Sequence, residues 1–277
     1  MNIDQIKTVL ELNKNRHFKK TAQTLFVTQS TISARLNALE QELGCKLFIR
    51  TSRTIEITPA GERFLDHAHS LLSIWRRARQ EAQANTSNQF QLATGGLFVT
   101  WDIFLQSWLE RLHQDYPTLA LTAESHDHTY LLRQLLDGAL DLIFITGPPR
   151  LAELCYTKVM DLQLTLVSDQ PGRTLKEAVQ TNYILVDWGE QFLLEHTQVL
   201  SHLALPQKRV NQARISLNFI LNSGGAAFLP SQMIAPYLDN ESLFEVKGVS
   251  NIPLQIYAAY MKNSSNIEFV EKALKYL

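Results

Sequence analysis

Phe18-Lys-Lys-Thr-Ala22-Gln-Thr-Leu25-Phe-Val-Thr28-Gln29-Ser30-Thr31-Ile32-Ser33-Ala-Arg35-Leu36-Asn37-Ala-Leu39-Glu-Gln-Glu-Leu43-Gly44 decides the fold of the first part of this chain. Phe18, Ala22 and Leu25 recur at helical spacing and predict a short helix up to Leu25. Phe26-Val27 interrupts it. Thr28 then suits an N-cap, because its hydroxyl can accept from the open N–H groups of the next turn. Ile32, Leu36, Leu39 and Leu43 place one apolar stripe on a second helix, and Gly44 fits the left-handed position just past its end. Two short helices so closely joined predict a helix-turn-helix.

Outward toward the N-terminus, Ile3, Ile6, Val9 and Leu10 predict one more amphipathic helix, broken by Asn13-Lys-Asn-Arg-His17. Outward toward the C-terminus, Leu47-Phe-Ile-Arg50 and Thr54-Ile-Glu-Ile57 are β-prone runs around a polar tip, Thr51-Ser-Arg53, and predict a wing. Thr58-Pro59 is an N-cap followed by proline where a missing N–H does no harm. Phe64, Leu65, Ala68, Leu71, Leu72, Trp75, Ala78 and Ala82 then hold the three-and-four spacing for roughly six turns. Such a stripe packs either on its own chain or on a second copy, and its length favours a second copy, making these positions a dimerisation face. Asn85-Thr-Ser-Asn-Gln89 closes the helix as a polar linker.

From Phe90 strands and helices alternate. Phe90–Ala93, Leu119–Ala123, Leu140–Ile145, Leu162–Ser168, Tyr183–Val186, Gly224–Leu229 and Leu254–Tyr260 are predicted strands, with amphipathic helices between them, including Trp101–Tyr116 and Arg214–Leu221. That alternation predicts a parallel sheet with right-handed crossovers, parsed as two α/β lobes.

The length of 277 residues suits two or three folded units, and 45% hydrophobic with 19% charged residues is globular composition. The net charge of −1 hides a division: residues 1 to 89 carry 13 Lys and Arg against 8 Asp and Glu, and the remainder 13 against 19. An anion-binding module joined to one that avoids polyanions would have this asymmetry, although unequal surface decoration would too. Cys45 and Cys155 form no metal or disulfide pattern, and no apolar run is long enough to span a bilayer, so a reducing, cytoplasmic setting without membrane partners is expected.

In a helix-turn-helix the second helix lies in the major groove with its N-terminal turns at the base edges. The positions facing away from Ile32, Leu36 and Leu39 include Gln29, Ser30, Thr31, Ser33, Arg35 and Asn37. Gln pairs with adenine and Arg with guanine, while Ser and Thr bond bases or phosphates. Thr28 at the helix start suits a phosphate, and Lys19, Lys20, Arg50 and Arg53 can grip backbone or minor groove. His126-Asp-His128 and His67-x-His69 have metal-like spacing, but no third ligand is evident and solvated faces explain them better. No phosphate-cradling, nucleotide-binding or hydrolase motif occurs, so no catalytic residue, metal or cofactor is expected.

The run from Phe18 to Arg50, continued by Thr58-Pro-Ala-Gly61-Glu62, closely resembles the N-terminal domain of LysR-type transcriptional regulators. Asn222-Ser-Gly-Gly-Ala-Ala-Phe-Leu-Pro230 is similar to the glycine-rich turn of that family's second lobe, and the short length, the tryptophans after the first effector strand and Tyr183-Ile-Leu-Val-Asp-Trp188-Gly resemble its HdfR-type branch, linked to flagellar gene control. The resemblance implies an α/β protein with an N-terminal all-α winged helix-turn-helix over residues 1–58, a dimerisation helix over 59–89 and a two-lobed, periplasmic-binding-protein-like effector domain over 90–277. It implies a homodimer or homotetramer on double-stranded DNA, reading an interrupted palindrome, with a small-molecule effector between the lobes at Thr94, Gly95, Gly96, Leu97, Thr146, Gly147, Asp187, Trp188, Ser223 and Gly224. The chain departs from the family at Ser30-Thr31, where many members have Pro-Ala, and at Ala34, where many have Arg. The Gly-Gly-Leu-Phe turn at 95–98 and the short stretch between Trp188 and Arg209 argue against a small polar effector, and a filled cleft is the competing expectation. The alternative function is a small-molecule binding module, or a cofactor-free enzyme, whose N-terminal domain only mediates oligomerisation.

Overall fold

The computed structural model describes residues 1–50, 55–83, 90–200 and 208–277, and the chain divides into two compact units, the first of Met1–Ser87 with Asp137–Ala139 and the second of Asn88–Leu136 with Leu140–Leu277.

The first unit opens with α1 (Ile3–Asn15), α2 (Phe18–Thr24) and α3 (Gln29–Leu43). Each has a local reason to start and stop. Asn2 and Gln5 form a reciprocal capping box at 2.9 and 2.7 Å, and α1 ends on Arg16 in the left-handed region. Thr28 caps α3 by accepting from the Thr31 N–H at 3.2 Å, and Gly44 ends it at φ 69°. Val9, Leu12, Phe18, Ala22, Ile32, Leu36 and Leu39 form the buried core, closed by Leu47 and Phe48 of the wing.

The wing pairs β1 (Phe48–Arg50) antiparallel with β2 (Ile55–Ile57). Buried Glu40 on α3 fastens it, accepting from the backbone N–H groups of Leu47 at 2.9 Å and Phe48 at 3.3 Å and pairing with Lys46 at 2.6 Å. Thr58 donates to the Lys46 carbonyl at 2.6 Å and accepts from the Gly61 N–H at 3.0 Å, so one hydroxyl joins the wing to the start of α4 (Pro59–Gln83). Gly61 can only be glycine: a Cβ there would lie 2.3 Å from the Leu47 carbonyl oxygen.

The second unit begins with β3 (Gln91–Gly96) and a helical segment in three pieces where one helix was expected: α5 (Phe98–Thr100), a π-helical turn (Trp101–Leu105) and α6 (Gln106–Asp115). There follow β4 (Ala120–Ser125), α7 (His128–Leu136), β5 (Leu142–Thr146) and the long β6 (Leu154–Ser168). Then come α8 (Leu175–Gln180), β7 (Ile184–Val186), α9 (Glu190–Val199), β8 (Lys208–Val210) and α10 (Ala213–Ser223). The chain ends with β9 (Ala226–Pro230), α11 (Ser231–Asp239), β10 (Phe244–Glu245), β11 (Ile252–Met261) and α12 (Ile267–Leu274).

The sheet corrects the all-parallel expectation. β3 is parallel to β4 and β5, but β11 lies antiparallel between β5 and β6, and β9 and β10 pair antiparallel with β6, giving a mixed seven-stranded sheet. A separate parallel pair is formed by β7 and β8. β6 and β11 run through both lobes, and their register slips between Ile256 and Tyr257 in mid-sheet, the local bend that a bulge produces. The core is continuous across the lobes, with Trp108, Phe144, Phe192 and Phe228 as its largest fully buried side chains.

Candidate nucleic-acid interface and inter-lobe cavity

On α3 the apolar stripe of Ile32, Leu36 and Leu39 is buried, which turns the opposite face outward. Gln29, Ser30 and Asn37 are exposed there, with Thr31 and Ser33 half-buried beside them. Thr28 Oγ1 lies 2.8 Å from both Ser30 Oγ and Thr31 Oγ1, so three hydroxyls cluster at the helix's first turn. Helix N-termini attract anions because their first N–H groups have no partner within the helix. Lys19 and Lys20 are exposed on α2. Arg35 departs from the expectation of an open base reader: its guanidinium lies 2.7 Å from the Asp4 carboxylate, on α1. Arg50 ends β1, and Arg53 lies outside the described residues.

The expected dimerisation stripe is divided by the structure. Ala68 and Leu72 are buried and Phe64 and Leu65 pack against the core of their own unit, whereas Leu71, Trp75 and Ala78 are exposed, joined by Ile74. Half of the stripe is therefore used within the chain.

In the second unit a cavity of about 550 Å³ lies between the lobes. It opens where parallel strands end: Leu97 follows β3, His126 follows β4, Thr146 closes β5, Asp187 follows β7 and Asn211 follows β8. An open α/β sheet leaves its crevice at these carboxyl ends. The N-termini of α7 and α9 also face it, through His128 and Glu190.

Of the ten cleft residues expected, Leu97, Thr146, Gly147, Asp187 and Trp188 line the cavity. Thr94, Gly95 and Gly96 do not, because β3 extends through them: Thr94 is buried and donates to the Leu142 carbonyl at 3.1 Å. Gly95 and Gly96 are glycines because Leu131 and Leu140, and Leu105 and Thr100, occupy the space a Cβ would take. Ser223 and Gly224 also lie away from the lining, Gly224 against Asp169. His126, Asp127, His128, Glu190 and Asn211 do line the cavity and were missed. For His126, Asp127, His128 and Glu190 the signal was available, since they follow predicted strand ends, where the topology puts a crevice; Asn211 follows β8, a strand the sequence pattern does not predict.

Three of the polar lining residues, His126, Asp127 and Asp187, are already engaged. Asp127 accepts from the Tyr130 N–H at 2.9 Å, capping α7. Asp187 pairs with Arg209 at 2.7 Å and accepts from the Gly189 N–H at 3.2 Å. His126 packs against Tyr130 with ring centroids 3.9 Å apart and planes tilted by 33°, and approaches Glu124 at 3.7 Å. Burial pushes the His128 pKa down, against the pull of Asp127 and Glu190. Burial also raises Tyr130, assisted by Glu124. Beside the cavity Asp102 and Arg214 form an ion pair between the lobes at 2.7 Å. Among the described residues no three His, Cys, Asp or Glu converge as a metal site, and no helix is long and apolar enough to cross a membrane.

Comparison with known proteins gives these surfaces a family. Residues 3–62 match the bacterial regulatory helix-turn-helix protein, lysR family, and residues 84–277 match the LysR substrate binding domain. The HTH-type transcriptional regulator HdfR of Yersinia enterocolitica is 31% identical over 99% of this chain and 96% of its own length. Among solved structures, the LysR family regulator CbnR has a TM-score of 0.78 at 19% identity, covering 100% of this chain and 99% of its own. Full-length CbnR in complex with its target DNA has a TM-score of 0.74, also at 19% identity, covering 100% of both chains. With both family models matched in order along its length, the chain belongs to the LysR family of DNA-binding transcriptional regulators.

Proposed function

We propose that this regulator works in the cytoplasm as a homodimer or a dimer of dimers, reads an interrupted palindrome through α3 of each subunit, and is modulated by a small molecule between its lobes. The organisation that serves this is a winged helix-turn-helix over 1–58, a pairing helix over 59–89 and an effector-binding domain over 90–277. The observation that carries the DNA-reading part is the outward face of α3, with Gln29, Ser30, Thr31, Ser33 and Asn37 grouped beyond the cap at Thr28. Gln29 serves adenine, and the hydroxyls serve bases or phosphates. Exposed Leu71, Ile74 and Trp75 support pairing with a second copy along α4, since a one-sided apolar stripe needs a cover.

Among the described residues the cavity lining contains Asp127 and Glu190, with Asp187 offset by Arg209 behind it, and no lysine or arginine, which favours an uncharged or cationic effector over an anion. Flagellar genes, implied by the HdfR-type resemblance, are the first target class to examine. Genome-wide capture of DNA bound by the chain, followed by footprinting with and without a cell extract of small molecules, tests these proposals. Discrete promoter peaks sharing an interrupted palindrome are expected, with a footprint that the extract changes. Diffuse binding would return the protein to the binding-module alternative.

A further inference from the structure

Between α2 and α3 the chain turns through Leu25, Phe26 and Val27. Leu25 and Val27 pack against the core of the first unit, so Phe26 between them points away from it, 94% exposed. The turn is tight: the Phe26 N–H donates to the Gln23 carbonyl at 3.2 Å and the Val27 N–H to the Ala22 carbonyl at 3.0 Å. Closing it puts Phe26 at φ 54°, in the left-handed region. Glycine or asparagine adopts that conformation at little cost, and a bulky side chain does not. Arg16, Asn182 and Glu241 share positive φ among the described non-glycine residues, and all three are polar. A single exposed apolar side chain is ordinary by itself. Here the backbone is strained to carry an aromatic ring that the core does not use, two residues before the cap of the DNA-reading helix. Strain held at a surface is a reason to look for function there.

Thymine presents one apolar group to the major groove, its C5 methyl, and aromatic side chains can contact it. The neighbouring face of α3 offers Gln29 for adenine and places Ala34, not a guanidinium, in its second turn, while Arg35 is held by Asp4. We infer that Phe26 is a specificity-determining contact that packs its ring on a thymine methyl in the major groove, beside the bases met by Gln29. The inference rests on the reading of α3 as the DNA-contacting helix.

The test uses the full chain and a randomised pool of duplex DNA. Sites are selected with the wild type and with Phe26→Asn, and affinities for the wild-type site are then measured across a range of salt concentrations. Phe26→Asn should raise the thermal midpoint or leave it unchanged, because asparagine suits the left-handed turn. It should nevertheless bind about tenfold more weakly, the order of one lost base contact. The slope of affinity against salt should stay constant, since no phosphate contact is removed. Phe26→Tyr, which keeps the ring, should bind within about twofold of the wild type if ring contact is what counts. Replacing one thymine of the site by deoxyuridine should weaken the wild type and leave Phe26→Asn unaffected.

A Phe26→Asn chain that selects the same site with the same affinity overturns the inference while leaving the reading of α3 intact. A lowered thermal midpoint overturns it too, by giving the ring a role in the fold, as does a uniform indifference to deoxyuridine. A wild-type chain that enriches no sequence defeats the reading of α3, and this inference with it.

Discussion

The first turn of α3 and the inter-lobe cavity use the same device, helix N-termini beside polar side chains, and leave it in opposite states. On α3 the cap is a neutral hydroxyl cluster and Gln29 and Ser30 stand exposed beyond it. Around the cavity Asp127 already caps α7, and Asp187 is already engaged by Arg209 and the Gly189 N–H. A helix end left without a charge can receive a phosphate. One already met by its own carboxylate repels an anion, so the difference separates a surface suited to a polyanion from a cavity suited to something else.

Four experiments would break or sharpen that contrast. The largest effect falls on the support of the DNA surface. Glu40→Ala removes a buried carboxylate that accepts from two wing N–H groups and should cost about 3 kcal/mol of unfolding free energy in urea denaturation. A loss below about 1 kcal/mol would mean that water replaces the carboxylate and the wing is not held from α3.

Next is the pairing helix. Leu71→Glu with Trp75→Glu puts charge on the exposed part of the stripe and should yield monomers whose operator affinity is down about a hundredfold, through loss of two-site binding. Dimers persisting in sedimentation would place the pairing elsewhere.

The third separates the units by pH. His196 is buried with its Nε2 2.7 Å from the Tyr183 hydroxyl, and burial lowers its pKa. The unfolded chain then binds more protons once the pH falls through the ordinary histidine value, near 6.5. Stability is therefore complete above that value and is lost below it, down to the folded-state pKa. His128 has the same sign. The histidines of the first unit, His17, His67 and His69, are exposed. Acidification from about pH 7.5 to 5.5 should lower the second unit's thermal midpoint by several degrees, and His196→Gln should flatten that response. A midpoint independent of pH would contradict the burial argument.

The smallest effect concerns Arg35. Asp4→Asn frees the guanidinium beside the DNA surface and should raise DNA affinity two- to threefold, steepening the salt slope by about one unit if a phosphate receives it. An unchanged slope would show that Arg35 stays out of DNA contact.

Much of the first unit was legible because its signals are local. Thr28, Gly44 and Thr58 mark boundaries through hydrogen bonds or dihedral angles only a few residues away, and three-and-four spacing identifies the buried face of α3. Even there, the pairing of Arg35 with Asp4 is not legible, because Asp4 lies on another helix and sequence spacing carries no such pairing. The dimerisation stripe is divided for a related reason: spacing marks Phe64, Leu65, Ala68 and Leu72 as one apolar face, not what covers it. Phe26 was passed over as an interruption, since a left-handed backbone at an aromatic residue has no pattern in sequence.

The second unit depends on contacts distant in the chain. The strand register that keeps Thr94, Gly95 and Gly96 inside β3 is set by β4 and β5, and the glycines are explained by Leu131, Leu140 and Leu105 from other elements. The antiparallel placement of β11 between β5 and β6 cannot be read from alternation alone. The general rule that ligands meet α/β sheets at strand ends finds His126 and Asp127 when applied to every predicted strand, but not Asn211, because the three-residue strand β8 before it carries no strand pattern of its own.

The central claim is that the outward face of α3 reads sequence. The most direct measurement is site selection from randomised duplex DNA by the full wild-type chain and by Gln29→Ala in parallel. The wild type should enrich paired half-sites, and Gln29→Ala should lose preference at one adenine position in each half-site while retaining the same spacing. Identical enriched sequences from both chains would contradict the claim.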